Sequence, residues 1–165
     1  MKITIEIVSV VNRNMSDSFV DNMENGMRVE PYDTQVDTNM VNTKYYADGQ
    51  VESVNYYGNH NSKLLSQEYY DNGQTAFLGN LVNGKKEGFW EYWHSNGRLS
   101  SYGDYVDGKK QGVWVTGYSN GTCESRGTYE DGVKDGLWKE WHEDSQLKSR
   151  GNYINGEKTG MWNYF

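Results

Sequence analysis

The chain has 165 residues with 16 basic and 23 acidic side chains, a formal net charge of −7, enough for one domain with a small appendage. One proline and 19 glycines exclude collagen-like or proline-rich linker character, and the acidic balance argues against nucleic-acid binding, which needs clustered cations. Aromatics make up 15% of the residues, so any core is built largely from rings, and the single Cys123 excludes an intramolecular disulfide and fits a reducing, cytoplasmic compartment.

Met1 to Ile7 alternates apolar and polar residues, which predicts a strand over residues 2–11 and lacks the apolar block of a signal peptide. Asn12 to Thr43 reads as mostly loop, with a short helix near Asp17 to Met23. Residues 1–43 carry three basic and seven acidic side chains, a net −4. They are expected to cap the exposed edge of the sheet that begins at Lys44. No segment approaches membrane-spanning length.

From Lys44 onward the chain repeats. Trp90, Trp114, Trp138 and Trp162 are each 24 residues from the next, as are Gly88, Gly112, Gly136 and Gly160, and Gly79, Gly103, Gly127 and Gly151. Two turn signals share the period. One is Asp48-Gly49, Asn72-Gly73, Asn96-Gly97 and Asn120-Gly121, with Asp144-Ser145 as a degraded copy. The other is Asn83-Gly84, Asp107-Gly108, Asp131-Gly132 and Asn155-Gly156. Such dipeptides accept positive φ, so both series are expected to form type I′ hairpin turns. The result is an all-β fold with two strands per repeat. The stretch from Lys44 to Lys63 is a worn copy, with His60 where the second turn glycine should be.

Gly79, Gly103, Gly127 and Gly151 fall inside strands, where glycine normally weakens a sheet. A bulky neighbour must cover the bare backbone there, and the recurring tryptophan is the candidate. Tyr105, Tyr129 and Tyr153 follow two residues later on the same face. The last stretch, Gly160 to Phe165, is half a repeat whose open edge offers a homodimer contact.

Two recurring features are candidates for binding. Lys86, Lys110, Lys134 and Lys158 share one position and are expected in a row along one sheet edge, about 9.6 Å apart, facing anions or solvent. At the end of the first strand of each unit, Tyr92-Trp93-His94 becomes Thr116-Gly117-Tyr118 and then Glu140-Trp141-His142. Recurrent residues are scaffold, and residues that vary at equivalent positions are candidates for function. Tyr92, Trp93, His94, Tyr118, Trp141 and His142 are therefore the expected partner-binding residues, aromatic side chains being the usual hot spots.

The string Gly88-Phe89-Trp90-Glu91-Tyr92-Trp93-His94-Ser95-Asn96-Gly97-Arg98-Leu99, followed by Gly103 to Lys109, resembles the MORN repeat. It is most similar to the bacterial variant of antitoxin-like proteins. The resemblance covers residues 44–165 and is strongest in the copies that start at Gly88, Gly112 and Gly136. It implies an elongated single-layer antiparallel meander of hairpins that binds proteins or lipid headgroups without catalysis. Residues 1–43 depart from the pattern.

Other chemistries fit less well. Gly79 to Lys85 and Gly103 to Lys109 match the start of a phosphate-binding loop, but lysine follows where a hydroxyl is needed, and no helix opens there. His94 and His142 are two periods apart, about 19 Å, and with His60 they make no ligand set, so no metal or other cofactor is expected. Cys123 has no partner base. The expectation is a non-catalytic protein that neutralises a partner with a basic surface, as an antitoxin, immunity protein or phage-type inhibitor of a host enzyme does. The alternative is a scaffold at anionic membrane lipid, held by the lysine row, although the net charge makes membrane binding the weaker expectation.

Overall fold

The computed structural model describes residues 36–58 and 63–165. Within them eleven antiparallel strands form one sheet in chain order. They are β1 (Val36–Tyr45), β2 (Val51–Gly58), β3 (Lys63–Tyr69), β4 (Thr75–Val82), β5 (Lys85–Trp93), β6 (Leu99–Val106), β7 (Lys109–Gly117), β8 (Cys123–Glu130), β9 (Val133–Trp141), β10 (Leu147–Ile154) and β11 (Glu157–Tyr164). No helix occurs among the described residues. The fold is the all-β hairpin meander that the 24-residue period predicts.

The strand expected over residues 2–11, the helix near Asp17 to Met23 and the turn at His60 lie outside the described residues. β1 begins inside the stretch read as loop up to Thr43, and it pairs with β2 through Asn42↔Asn55 and Thr43↔Val54. That stretch has the β-branched Val36, Thr38, Val41 and Thr43, but none of the glycines by which the repeat is recognised.

The two turn series differ in kind. At Asn83-Gly84 both residues have positive φ, 50° and 78°, and Asp107-Gly108 and Asp131-Gly132 repeat the pattern. These are the expected two-residue type I′ turns. In the other series only the second residue is left-handed, as at Gly97 (φ 81°). There the amide of Gly97 donates to the His94 carbonyl at 2.9 Å, and the His94 amide donates to the Arg98 carbonyl at 2.8 Å. This is a three-residue loop, a type I turn closed by a left-handed residue, and it corrects the type I′ expectation for that series. Asn-Gly suits both loops because a left-handed second residue is common to them.

The core is a one-layer ladder of rings. Trp90 pairs in register with Gly79 on one side and Gly103 on the other, and it is 1% exposed. Every interior glycine of β4, β6, β8 and β10 lies under the indole of the following strand. Three indole N–H groups donate to a carbonyl ten residues back, Trp90 to Asn80, Trp114 to Asp104 and Trp138 to Thr128, whereas that of Trp162 is buried without a partner. Tyr105, Tyr129 and Tyr153 stand edge-on between the indoles, with centroids 5.1–6.2 Å apart. A recurring bulge opens ahead of each Trp, where Gly88 takes φ 67° and register shifts between Gly79 and Asn80.

Candidate functional site

A single sheet has two faces, and alternation assigns every strand residue to one of them. The face that bears Trp90, Trp114, Trp138 and Trp162 also bears the lysine row. Lys110 Nζ lies 3.9 Å from the Trp114 ring centre and 5.0 Å from that of Tyr129. Lys86, Lys134 and Lys158 lie 4.0–4.4 Å from their own tryptophans. The lysines therefore stack on the ring ladder instead of lining a sheet edge, which corrects the expectation. The parity of the chain explains this, since Lys86 precedes Trp90 by an even number of residues. Burial pushes the Lys86, Lys110 and Lys134 ammoniums below the ordinary lysine pKa, and for Lys110 the neighbouring Lys86 and Lys134 add to the effect.

The expected partner-binding residues divide into three groups. Tyr92 lies on the ring face, 6.0 Å from Trp90, and its hydroxyl accepts from Lys86 Nζ at 2.5 Å. Desolvation, with the Tyr105 hydroxyl beside it, pushes the Tyr92 phenol far above its ordinary pKa. His94 and Tyr118 tie each turn to the next unit. His94 Nε2 lies 2.8 Å from the Gly117 carbonyl, and the Tyr118 hydroxyl donates to the Trp141 carbonyl at 2.9 Å. Tyr46 and Tyr70 make the same bond to the carbonyls of Tyr69 and Trp93. His142 holds the equivalent position and is exposed. Only Trp93 and Trp141 remain, half-buried, on the face opposite the ring ladder.

Asparagine amides reinforce this margin. Asn72 donates to the Ser95 carbonyl, Asn96 to that of Ser119 and Asn120 to that of Glu143. At the other margin, carboxylate or amide oxygens of Glu87, Gln111 and Asp135 accept from the turn amides of Asp107, Asp131 and Asn155. Glu87 and Asp135 are thus part of the scaffold. So are the loop-like strings Gly79 to Lys85 and Gly103 to Lys109, each of which is a strand end, its two-residue turn and the first residue of the next strand.

The opposite face is chemically uneven. One register row crosses it as Leu78, Glu91, Tyr102, Val115, Arg126, Lys139, Arg150 and Asn163. Tyr102 and Val115 are buried, and Phe89, Leu99 and Cys123 pack against them. Burial pushes the Cys123 thiol up to about 11, the opposite of what a nucleophile needs. Burial also pushes the Glu91 carboxyl up. Beyond Val115 the row turns cationic, and Leu137 and Met161 stand 52% and 86% exposed. Sequence reasoning missed this row. Part of the signal was present, because Glu91, Val115, Lys139 and Asn163 share one position and differ in every copy while the Trp positions do not.

Among the described residues no group of three or more His, Cys, Asp or Glu is placed to hold a metal ion. The family model described as the MORN repeat variant matches residues 134–155, which span β9 from its second residue, the turn after it, β10 and Asn155. No curated protein matches the chain. Residues 134–155 thus match a MORN repeat, and the 24-residue period extends the same unit along the sheet.

Proposed function

We propose that this chain is a non-catalytic binding protein that seats a partner protein on the face opposite its tryptophan ladder and neutralises it by occlusion, as an antitoxin, immunity protein or inhibitor does. One observation carries the reading. The register row from Leu78 to Asn163 changes character along the sheet, from apolar around Tyr102 and Val115 to cationic over Arg126, Lys139 and Arg150, while the Trp face repeats the same rings. Surface that recurs holds the fold, and surface that varies beside exposed aromatic and aliphatic groups is suited to recognition. A cytoplasmic setting goes with this reading. The lysine row gives the membrane-scaffold alternative less support, because its ammoniums are engaged by rings.

The test is affinity capture with the full chain and with Trp93→Ala/Trp141→Ala, followed by reconstitution with the purified captured protein. A stoichiometric complex that forms with the wild type and weakens in the variant supports the reading. Sedimentation with anionic vesicles in the absence of any saturable protein complex would replace it with the scaffold.

A further inference from the structure

Three cations stand side by side on the face opposite the tryptophans. Arg126 on β8 is directly opposite Lys139 on β9, and Lys139 is directly opposite Arg150 on β10. Like charges directly opposite across a sheet repel, and the three side chains give this part of the face a positive character. Lys139 and Arg150 are exposed, and the Arg150 guanidinium carbon rests 5.8 Å from the Phe165 ring centre. A run of cations across three adjacent strands, two of them exposed, beside exposed apolar groups points to an anionic ligand.

Apolar side chains border the row. Leu137 precedes Lys139 by two residues and is 52% exposed. Met161, 86% exposed, holds the equivalent position on β11. Phe89 holds that position on β5 and packs 5.9 Å from Tyr102, which fixes the face to which the column belongs. Trp141 stands two residues beyond Lys139 on the other side.

Spacing selects the occupant. Adjacent strands are about 4.8 Å apart, so the cations repeat at that interval across the strands. Side chains three or four residues apart on a helix stand about 5–6 Å apart. Alternate residues of an extended strand stand about 6.8 Å apart and drift out of step. Leu137 and Met161 are two strands apart, about 9.6 Å. Helix residues seven apart are separated by about 10.5 Å.

We propose that β8 to β11 dock an acidic amphipathic helix of a partner protein, laid across the strands. Its carboxylates lie over Arg126, Lys139 and Arg150, and its apolar stripe lies over Leu137 and Met161. The assignment rests on the protein-binding reading and supplies the chemistry of the partner. It departs from the basic partner that the net charge of −7 suggested, because −4 of that charge belongs to residues 1–43. Local charge, not net charge, sets complementarity at a contact.

The experiment is fluorescence anisotropy with a labelled helical peptide bearing Glu on one side and Leu on the other, at low and high salt. Controls are its Lys-for-Glu counterpart and a scrambled peptide of the same composition. The protein is the full chain as wild type, Arg126→Glu/Lys139→Glu/Arg150→Glu, and Lys139→Val. The last places the residue of the preceding repeat and keeps the fold, which circular dichroism checks. Saturable, salt-sensitive binding of the acidic helix, weakened about tenfold or more by charge reversal and partly by Lys139→Val, is the expected result. No saturable binding, equal binding of the scrambled or basic peptide, or indifference to both variants overturns the assignment. Sedimentation with anionic vesicles that only the charge reversal abolishes, without peptide binding, overturns it in favour of lipid. A captured protein that binds wild type and charge-reversed variant alike overturns this assignment and leaves the protein-binding reading intact.

Discussion

The indole of Trp114 fills the space in which a side chain at Gly103 would begin, for a Cβ there would stand 2.6 Å from two atoms of the ring. Trp114 is 1% exposed and is flanked edge-on by Tyr105 and Tyr129, so it has no room to yield. Gly103→Ala is therefore expected to destabilise by about 1–3 kcal/mol, the usual penalty of overpacking, although alanine suits a strand better than glycine. Trp114→Ala should cost about 3–5 kcal/mol. Urea unfolding of both and of the double variant checks the pairing, since the double variant should lose less than the sum.

Ser145 takes φ 69° at the turn position that the other copies fill with glycine. A left-handed conformation strains any residue with a Cβ, by roughly 1–2 kcal/mol. Ser145→Gly should raise stability by about 0.5–1 kcal/mol, after the entropy that glycine adds to the unfolded chain. An unchanged or lowered melting temperature would refute the strained turn.

His94 is an expected binding residue whose ring instead reaches the Gly117 carbonyl at 2.8 Å. Tyrosine makes the same bond from positions 46, 70 and 118. His94→Tyr should leave stability nearly unchanged, whereas His94→Ala should lose about 1 kcal/mol. Equal losses in thermal unfolding would show that the bond contributes nothing.

Lys139 faces Arg126 and Arg150 across the sheet. Lys139→Glu alternates the charges of the row and is expected to stabilise by about 0.2–1 kcal/mol. The same change should weaken binding of an acidic helix. Melting temperature and anisotropy should move in opposite senses, and parallel losses would indicate a merely structural lysine.

Burial raises the Glu91 carboxyl pKa in the folded chain. The folded state then binds the proton more tightly than the unfolded one, so stability falls as pH rises through that window. Above it the ionised carboxylate remains a cost. Glu91→Gln should therefore be more stable than wild type at neutral pH, and the gap should close as pH falls to the ordinary carboxylate range. A gap that widens in acid would mean that folding favours the ionised carboxylate instead.

The fold was legible because its cause is local and periodic. Glycine inside a strand required a cover, and a tryptophan in every copy supplied it, so Gly79 and Trp90 could be paired without coordinates. Three things were not legible. An Asn-Gly pair suits a two-residue or a three-residue loop, and only the backbone bonds of His94 and Gly97 separate them. The lysine row suggests an edge because Lys86 adjoins a turn, although its parity with Trp90 already assigns it to the ring face. His94 and Tyr118 look like variable surface because the carbonyls they reach lie 23 residues away, in the next unit. The cationic row was hidden differently, since Arg126, Lys139 and Arg150 belong to two register positions that only strand pairing joins.

Trp138 and Lys139 are neighbours along the chain and point to opposite sides of a sheet one residue thick. In such a sheet odd and even positions act as two interleaved messages, one spelling out the architecture and the other free to be rewritten. Duplicating a 24-residue unit copies both. The architectural message must then stay fixed, while the other can drift in each copy separately. A chain built this way can change one face of its sheet many times over without relearning how to fold.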